Sequence, residues 1–268
     1  MKDILQDIVA NKRLEVERQK QVVTLDAMLS MGEKCFERPT LSMRHSLASS
    51  ESGIIAEFKR KSPSKGWLFP DANVANVIPA YNQNGACASS ILTDSDFFGG
   101  SLNDLNRARA LVDDLPLLRK DFIVDIYQLY QARVMGADAV LLIASVLTPE
   151  ECETFAEAAH LLGLEVLLEV HTEEELGHLN PNIDMLGVNN RNLGTFHTDV
   201  KNSFVLAEKM QTVSREKGVS PLLVSESGLS DMDTVRSLRE AGFRGFLIGE
   251  TFMKTGDPGK ALSDFIKS

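Results

Sequence analysis

Apolar residues are concentrated in eight short runs rich in Val, Ile and Leu, at positions 53–58, 88–93, 116–119, 138–144, 164–170, 184–189, 221–226 and 245–249. These runs lack the strict apolar–polar alternation of a strand with one wet face, so each predicts a strand covered on both sides. The segments between them carry amphipathic helical spacing. Strands that alternate with helices in this way form a parallel sheet. Asn84-Gly85, Met135-Gly136, Leu162-Gly163 and Ala241-Gly242 each stand just before a run. A glycine there can take the left-handed conformation that ends a helix.

Eight such units predict an α/β fold, a single closed (β/α)8 TIM barrel with an N-terminal helical extension. An open doubly wound sheet is the weaker reading, because no GxGxxG follows any run. Residues 1–50 are expected to be the helical extension packed on the barrel, and residues 51–268 the barrel as catalytic domain. Within the extension, positions 2–20 read as an amphipathic helix with a charged face, serving as a structural plug or lid. Pro79 falls inside the helix after the first strand, where it removes a hydrogen bond and predicts a bend.

Composition narrows the functional classes. A chain of 268 residues with 43% hydrophobic content supports one large core. The net charge of −10 opposes nucleic-acid backbones and anionic membranes over most of the surface. Neither is expected as a partner, and any basic site has to be local. Cys35, Cys87 and Cys152 include no CxxC pair, which argues against a disulfide framework or structural zinc and for a reducing, cytoplasmic setting. The N-terminal stretch lacks a signal peptide's unbroken apolar run, and no later run approaches the roughly 18 apolar residues of a membrane span.

In a barrel of this kind the chemistry gathers where strands end. The first run ends Glu57-Phe58-Lys59, and strand alternation puts Glu57 and Lys59 on one face. The third ends at Lys120-Asp121-Phe122, the fifth at Glu169, the sixth at Asn189-Asn190-Arg191 and the seventh at Glu226-Ser227-Gly228. One charged residue at a strand end reads as a solvated terminus, but five strands behaving alike read as a site. Two lysines and three glutamates in one cavity shift one another's proton affinity, as acid and base work near neutral pH requires. Gly228 and Gly249 follow the last two strands, where backbone N–H groups can cradle a phosphate; ordinary tight turns are the alternative. His45, His160, His171, His178 and His197 show no HxxxH or HExxH spacing and read mostly as surface residues, with His171 just beyond the fifth strand.

At these positions the chain resembles the indole-3-glycerol-phosphate synthase family, through IIAEFKRKSPSKG, LLRKDFI, LLEVH, LGVNNRNL, VSESGL and FLIGE. The resemblance covers the barrel from Gly53 onward, and the N-terminal extension is also a family feature. It implies conversion of 1-(o-carboxyphenylamino)-1-deoxyribulose 5-phosphate to indole-3-glycerol phosphate, with loss of carbon dioxide and water. No metal or organic cofactor is implied. Lys120 matches the family's general acid at the ketone oxygen, and Glu169 the carboxyl that exchanges protons during dehydration. Lys59 matches its partner and the residue that meets the substrate carboxylate. Glu57 and Asn189 match the residues that orient the catalytic lysine and a substrate hydroxyl. Which lysine gives the first proton is left open.

By the same resemblance, Phe98 and Phe122 wall the anthranilate ring, and Ser62, Arg191, Glu226 and Ser227 complete the substrate site. Ser62, Ser227, Gly228, Gly249 and Glu250 surround the phosphate, Glu250 through its backbone N–H with its carboxylate turned out. Trp67 stands in the first loop where the family has smaller residues. The expected partner is a phosphorylated small molecule, and the expected state a monomer or weak homodimer. A phosphoribosylanthranilate isomerase would share the glycine loops without accounting for Lys59, Lys120 and Glu169 together. A non-catalytic barrel serving as a scaffold would not need to retain them.

Overall fold

The computed structural model describes residues 4–192 and 197–268; Lys2 and Leu193, which the sequence reading uses, lie outside the described residues. Eight parallel strands close into a barrel: β1 Ile54–Phe58, β2 Ala88–Leu92, β3 Leu117–Lys120, β4 Ala139–Ile143, β5 Glu165–Val170, β6 Met185–Asn189, β7 Leu222–Glu226 and β8 Gly245–Ile248. Each pairs with its neighbour in sequence, and β8 returns to β1 with Ile55 opposite Leu247. Bounds depart from expectation by a residue or so; β3 runs on to Lys120 and β8 stops before Gly249.

Strand alternation sorts the core into two layers. Ile54, Ala56, Leu117, Val140, Leu168, Val188 and Phe246 face the surrounding helices. Ile55, Leu118, Leu141, Leu167, Met185, Val224 and Leu247 face the axis in a separate column. The inward rows continue, two residues further along each strand, as Glu57, Lys120, Ile143, Glu169, Gly187, Glu226 and Gly249. The same parity that fills the barrel with aliphatic side chains therefore delivers polar ones at its C-terminal mouth.

The helices that pack outside the strands are α5 Val74–Gln83, α6 Leu102–Arg109, α7 Tyr127–Val134, α8 Pro149–Leu161, α9 Lys201–Glu216, α10 Met232–Glu240 and α12 Pro258–Lys267, with the short α11 Glu250–Met253 directly after β8. Gly85, Gly136, Gly163 and Gly242 all have positive φ (93°, 92°, 73° and 106°) at helix-to-strand turns, as their positions predict. Helix α5 continues across Pro79, whose ring leaves the Ala75 carbonyl without its usual donor.

Four helices precede β1: α1 Ile4–Val22, α2 Leu25–Met31, α3 Glu33–Glu37 and α4 Met43–Ser49. Thr24 and Ser42 cap α2 and α4, their hydroxyls accepting from Ala27 and His45 N–H. Helix α4 drives Met43 and Leu47, both without solvent exposure, into the base of the axial column. Helix α1 lies at the other end and buries Ile8, Lys12 and Val16, one face at i, i+4 and i+8.

Candidate active site

A cavity of about 460 Å³ opens at the C-terminal mouth. Glu57, Lys59, Ser62, Phe98, Lys120, Phe122, Glu169, Asn189, Arg191, Glu226, Ser227, Gly228, Gly249 and Glu250 all line it. Every residue assigned to the site from the sequence is thus brought to one place, from seven of the eight strands and their following loops.

Lys120 stands at the centre. Its Nζ donates to Glu169 Oε2 and to Glu226 Oε2, each at 2.8 Å, and both carboxylates are almost wholly buried. Burial disfavours the ammonium, but Glu169, Glu226 and the nearby Glu57 outweigh it and hold the pKa above the ordinary lysine value. The two carboxylates then divide. Burial alone would raise both, yet Lys120 and His171 keep Glu169 below the usual range. For Glu226, burial prevails over Lys120 and is reinforced by Glu169, so its carboxyl is pushed up to about 7. One carboxyl is held charged and the other shares its proton near neutrality, the separation expected of acid and base partners.

Glycine makes this cluster possible. Gly187 is the β6 partner of Glu169, and a Cβ there would lie 2.4 Å from Glu226 Oε1. A Cβ on Gly249 would lie 2.2 Å from Glu57 Oε2. Gly249 therefore has a packing reason to be glycine besides any contact with phosphate. Glu57 in turn pairs with Lys59, two residues along the same inward row.

Directly after Glu226, Ser227 adopts φ 69°, the one non-glycine residue with positive φ among the described residues, and Gly228 follows at 79°. Strain of this kind, costing on the order of 1–3 kcal/mol, collects at ligand sites. It turns the chain sharply after β7, beside Gly249 at the start of α11. Across this mouth Arg191 reaches Ser64 Oγ at 2.8 Å and Glu250 Oε2 at 3.1 Å. The Glu250 carboxylate pairs with this arginine while its side chain stays 31% exposed. On the apolar side the Phe98 and Phe122 rings lie 6.0 Å apart with a 39° tilt, a wall for a flat ring.

The first loop folds as a two-residue antiparallel ribbon, Lys61–Ser62 against Gly66–Trp67. Lys61 N–H donates to the Phe98 carbonyl at 3.2 Å, tying this loop to the one that carries the aromatic wall. Trp67 is over half exposed and packs on Gly99, with Lys61 Nζ 5.7 Å from its ring centre.

Two contributions escaped the sequence reading. Helix α1 is more than a cover, since Ile4, Leu5 and Ile8 line the cavity and Lys12 is fully buried beneath the loops. Lys12 Nζ lies 3.0 Å from Asp94 and 3.0 Å from Asp121, the residue after Lys120. Asp94 also accepts from the N–H groups of Phe97 and Phe98, so one lysine anchors both the catalytic strand end and the aromatic wall. A charged residue on an amphipathic helix reads as solvated; only the matching buried aspartates reverse that, and they are distant in sequence. The second is His171, expected at the surface but only 11% exposed in its side chain, with Nε2 3.5 Å from Glu169 Oε1. His178 is also half-buried, bonded to the Leu147 carbonyl at 2.9 Å, whereas His45, His160 and His197 are exposed. Among the described residues no group of His, Cys, Asp and Glu is arranged to hold a metal ion.

A parallel barrel with its ionisable groups gathered at the C-terminal mouth is the architecture of a (β/α)8 enzyme. The sequence model of indole-3-glycerol phosphate synthase matches residues 5–265, and the chain belongs to that family of tryptophan-biosynthetic carboxy-lyases. It is 58% identical to an indole-3-glycerol phosphate synthase of Bacteroides thetaiotaomicron, covering 100% of this chain and 99% of that one. It is 42% identical to the enzyme of that name from Magnetococcus marinus, with 98% of each covered. Among solved structures it is similar to the tryptophan synthase complex of Pyrococcus furiosus, with a TM-score of 0.59 at 16% identity over 81% of this chain and 96% of that one. At that identity the likeness extends to the fold alone.

Proposed function

We propose that this chain closes the indole ring of 1-(o-carboxyphenylamino)-1-deoxyribulose 5-phosphate, releasing carbon dioxide and water, with residues 51–268 as the catalytic barrel and residues 1–50 as an extension packed on it. The observation that carries the reading is Lys120 held protonated between Glu169 and Glu226 on the cavity floor. Attack of the ring carbon on the ketone develops negative charge on the ketone oxygen, and a fixed ammonium is suited to meet it and give it a proton. Glu169, kept ionised beside Lys120, then exchanges protons during loss of the hydroxyl and restoration of aromaticity. Lys59, paired with Glu57, receives the substrate carboxylate, and Asn189 orients a substrate hydroxyl. Phe98 and Phe122 stack on the anthranilate ring.

Ser62, Ser227, Gly228, Gly249 and the Glu250 N–H take the phosphate, with Arg191 released from Glu250 to approach it. The reaction needs no metal or organic cofactor, and the free thiols of Cys35, Cys87 and Cys152 suit a cytoplasmic protein. No described helix is long and apolar enough to cross a membrane. The test is indole fluorescence on mixing the protein with this substrate in the presence of EDTA. A rising signal is expected, and silence from folded protein would overturn the reading.

A further inference from the structure

Behind Glu169, outside the cavity lining, stands an ionisable side chain that the proposed reaction does not yet use. His171 follows β5, and its ring lies between the catalytic cluster and an outer carboxylate. Nε2 points at Glu169 Oε1 across 3.5 Å and is buried with no hydrogen-bond partner. Nδ1 lies 3.3 Å from Ser145 Oγ and 3.5 Å from Glu175 Oε2. Glu175 is fixed in turn: its Oε2 accepts from the His171 backbone N–H at 2.5 Å and its Oε1 from the Ser145 hydroxyl. Asn202 of α9 donates to the His171 carbonyl at 3.1 Å, which holds the backbone as well.

The stoichiometry of the proposed reaction gives this arrangement a task. The substrate carboxylate leaves as neutral carbon dioxide and its electron pair stays on the ring carbon. One negative charge therefore disappears in each turnover, and one proton has to enter from solvent. One proton goes to the ketone oxygen, a second leaves with that oxygen as water, and one is returned when the five-membered ring becomes aromatic. Lys120 is a poor inlet, because two buried carboxylates hold its proton tightly.

We propose that His171, oriented by Glu175 and Ser145, is the positioning residue that resupplies Glu169 with the proton each turnover consumes. The Nε2 proton of the imidazolium passes to Glu169 Oε1 after a side-chain movement of about half an ångström, a hydrogen-bond distance being about 3 Å. Nδ1–H stays against Glu175. The lone pair left on Nε2 is reprotonated by a solvent acid, hydronium or the conjugate acid of the buffer, relayed through water that enters as product leaves; this is the one proton that the net reaction consumes, and it restores the imidazolium.

The charged groups around the ring favour this state. Burial lowers the histidine's proton affinity, but Glu175, Glu169 and, further off, Glu226 of β7 together raise it above the ordinary value. Lys120 of β3 lies beyond Glu169 and is neutralised by it. Glu175 is held down at about 2: burial works against its charge, but the His171 and Ser145 hydrogen bonds outweigh that cost. It therefore stays anionic throughout the neutral range.

The proposal rests on the role given to Glu169, so H171A, E175Q and E169Q are measured together, across pH, with and without added imidazole. In H171A kcat is expected to fall by about tenfold or more while KM stays within about twofold, and imidazole is expected to restore part of kcat in the variant and none in the parent. In the parent, kcat falls as pH rises through the His171 pKa. In E175Q the imidazolium loses its outer carboxylate, so that fall moves to lower pH, a readout that stands even if H171A does not fold. A parental kcat and pH profile in H171A, or a loss confined to KM, would overturn the proposal, as would an unshifted profile in E175Q. If E169Q itself turns over normally, the role of Glu169 is wrong; if E169Q is slow while H171A is normal, only the role of His171 is wrong.

Discussion

At the scale of single residues the site works by setting two carboxyl groups apart around one ammonium. Lys120→Ala removes that ammonium and is expected to lower kcat by about a thousandfold with the fold retained, the usual range for a general acid being about 10² to 10⁴. Steady-state kinetics with circular dichroism check this, and near-parental turnover would remove Lys120 from its role. Glu226 gives a stability prediction. Its pKa is about 7 when folded, against an ordinary value of about 4.3 when unfolded. Between those values the folded state binds more protons than the unfolded state, so stability falls as pH rises through this window. Glu226→Gln lacks this penalty, and its melting temperature is expected to gain on the parent's from pH 5 to pH 8, by the equivalent of at most about 3 kcal/mol. A difference that does not grow with rising pH would show that Glu226 ionises at no cost to the folded state. The sequence displays the residue types at strand ends but not this division, which depends on the space left at Gly187 and on burial.

At the scale of elements, the strands were legible because a parallel barrel strand is apolar on both faces and its parity carries through to the mouth. The glycine stops were legible for a similarly local reason. Helix α1 was legible as a helix and not as a part of the site. Its Lys12 pairs with Glu15 on the same helix, but its burial is matched by Asp94 and Asp121, which lie after β2 and β3, and pairing across such separations leaves no periodic trace. Lys12→Met keeps the length and apolar stem of the side chain but strands two buried carboxylates. Removing one partner of a buried pair costs about 3–5 kcal/mol, with the lower end expected here because Arg119 remains on Asp121 at 2.9 Å. Urea unfolding measures the loss. Because Asp94 also holds the loop of Phe98, kcat/KM is expected to fall with it. An unchanged kcat/KM would make α1 a structural cover after all.

The whole molecule is a column of axial side chains with different tasks at its two ends. At the mouth the inward rows turn polar and the chain accepts strain at Ser227; at the base the same rows stay aliphatic and α4 closes them. Leu47 is fully buried there, among the axial residues that include Ile55, Leu118 and Val224, and its Cδ1 lies 3.2 Å from where a Cβ on Gly245 would stand. The Glu165 carboxylate holds α4 in place by accepting from Ser42 Oγ at 2.5 Å and from Arg44 N–H at 2.8 Å. Leu47→Ala opens a cavity that rigid strands on every side are poorly able to fill, so a loss of about 2–5 kcal/mol is expected in denaturant unfolding. If the base of this continuous column only supports the fold, kcat and KM stay at parental values while the unfolding midpoint drops. If turnover falls with stability, the axial column transmits packing from base to mouth. The carboxylates around Lys120 would then depend on a leucine at the opposite end of the barrel.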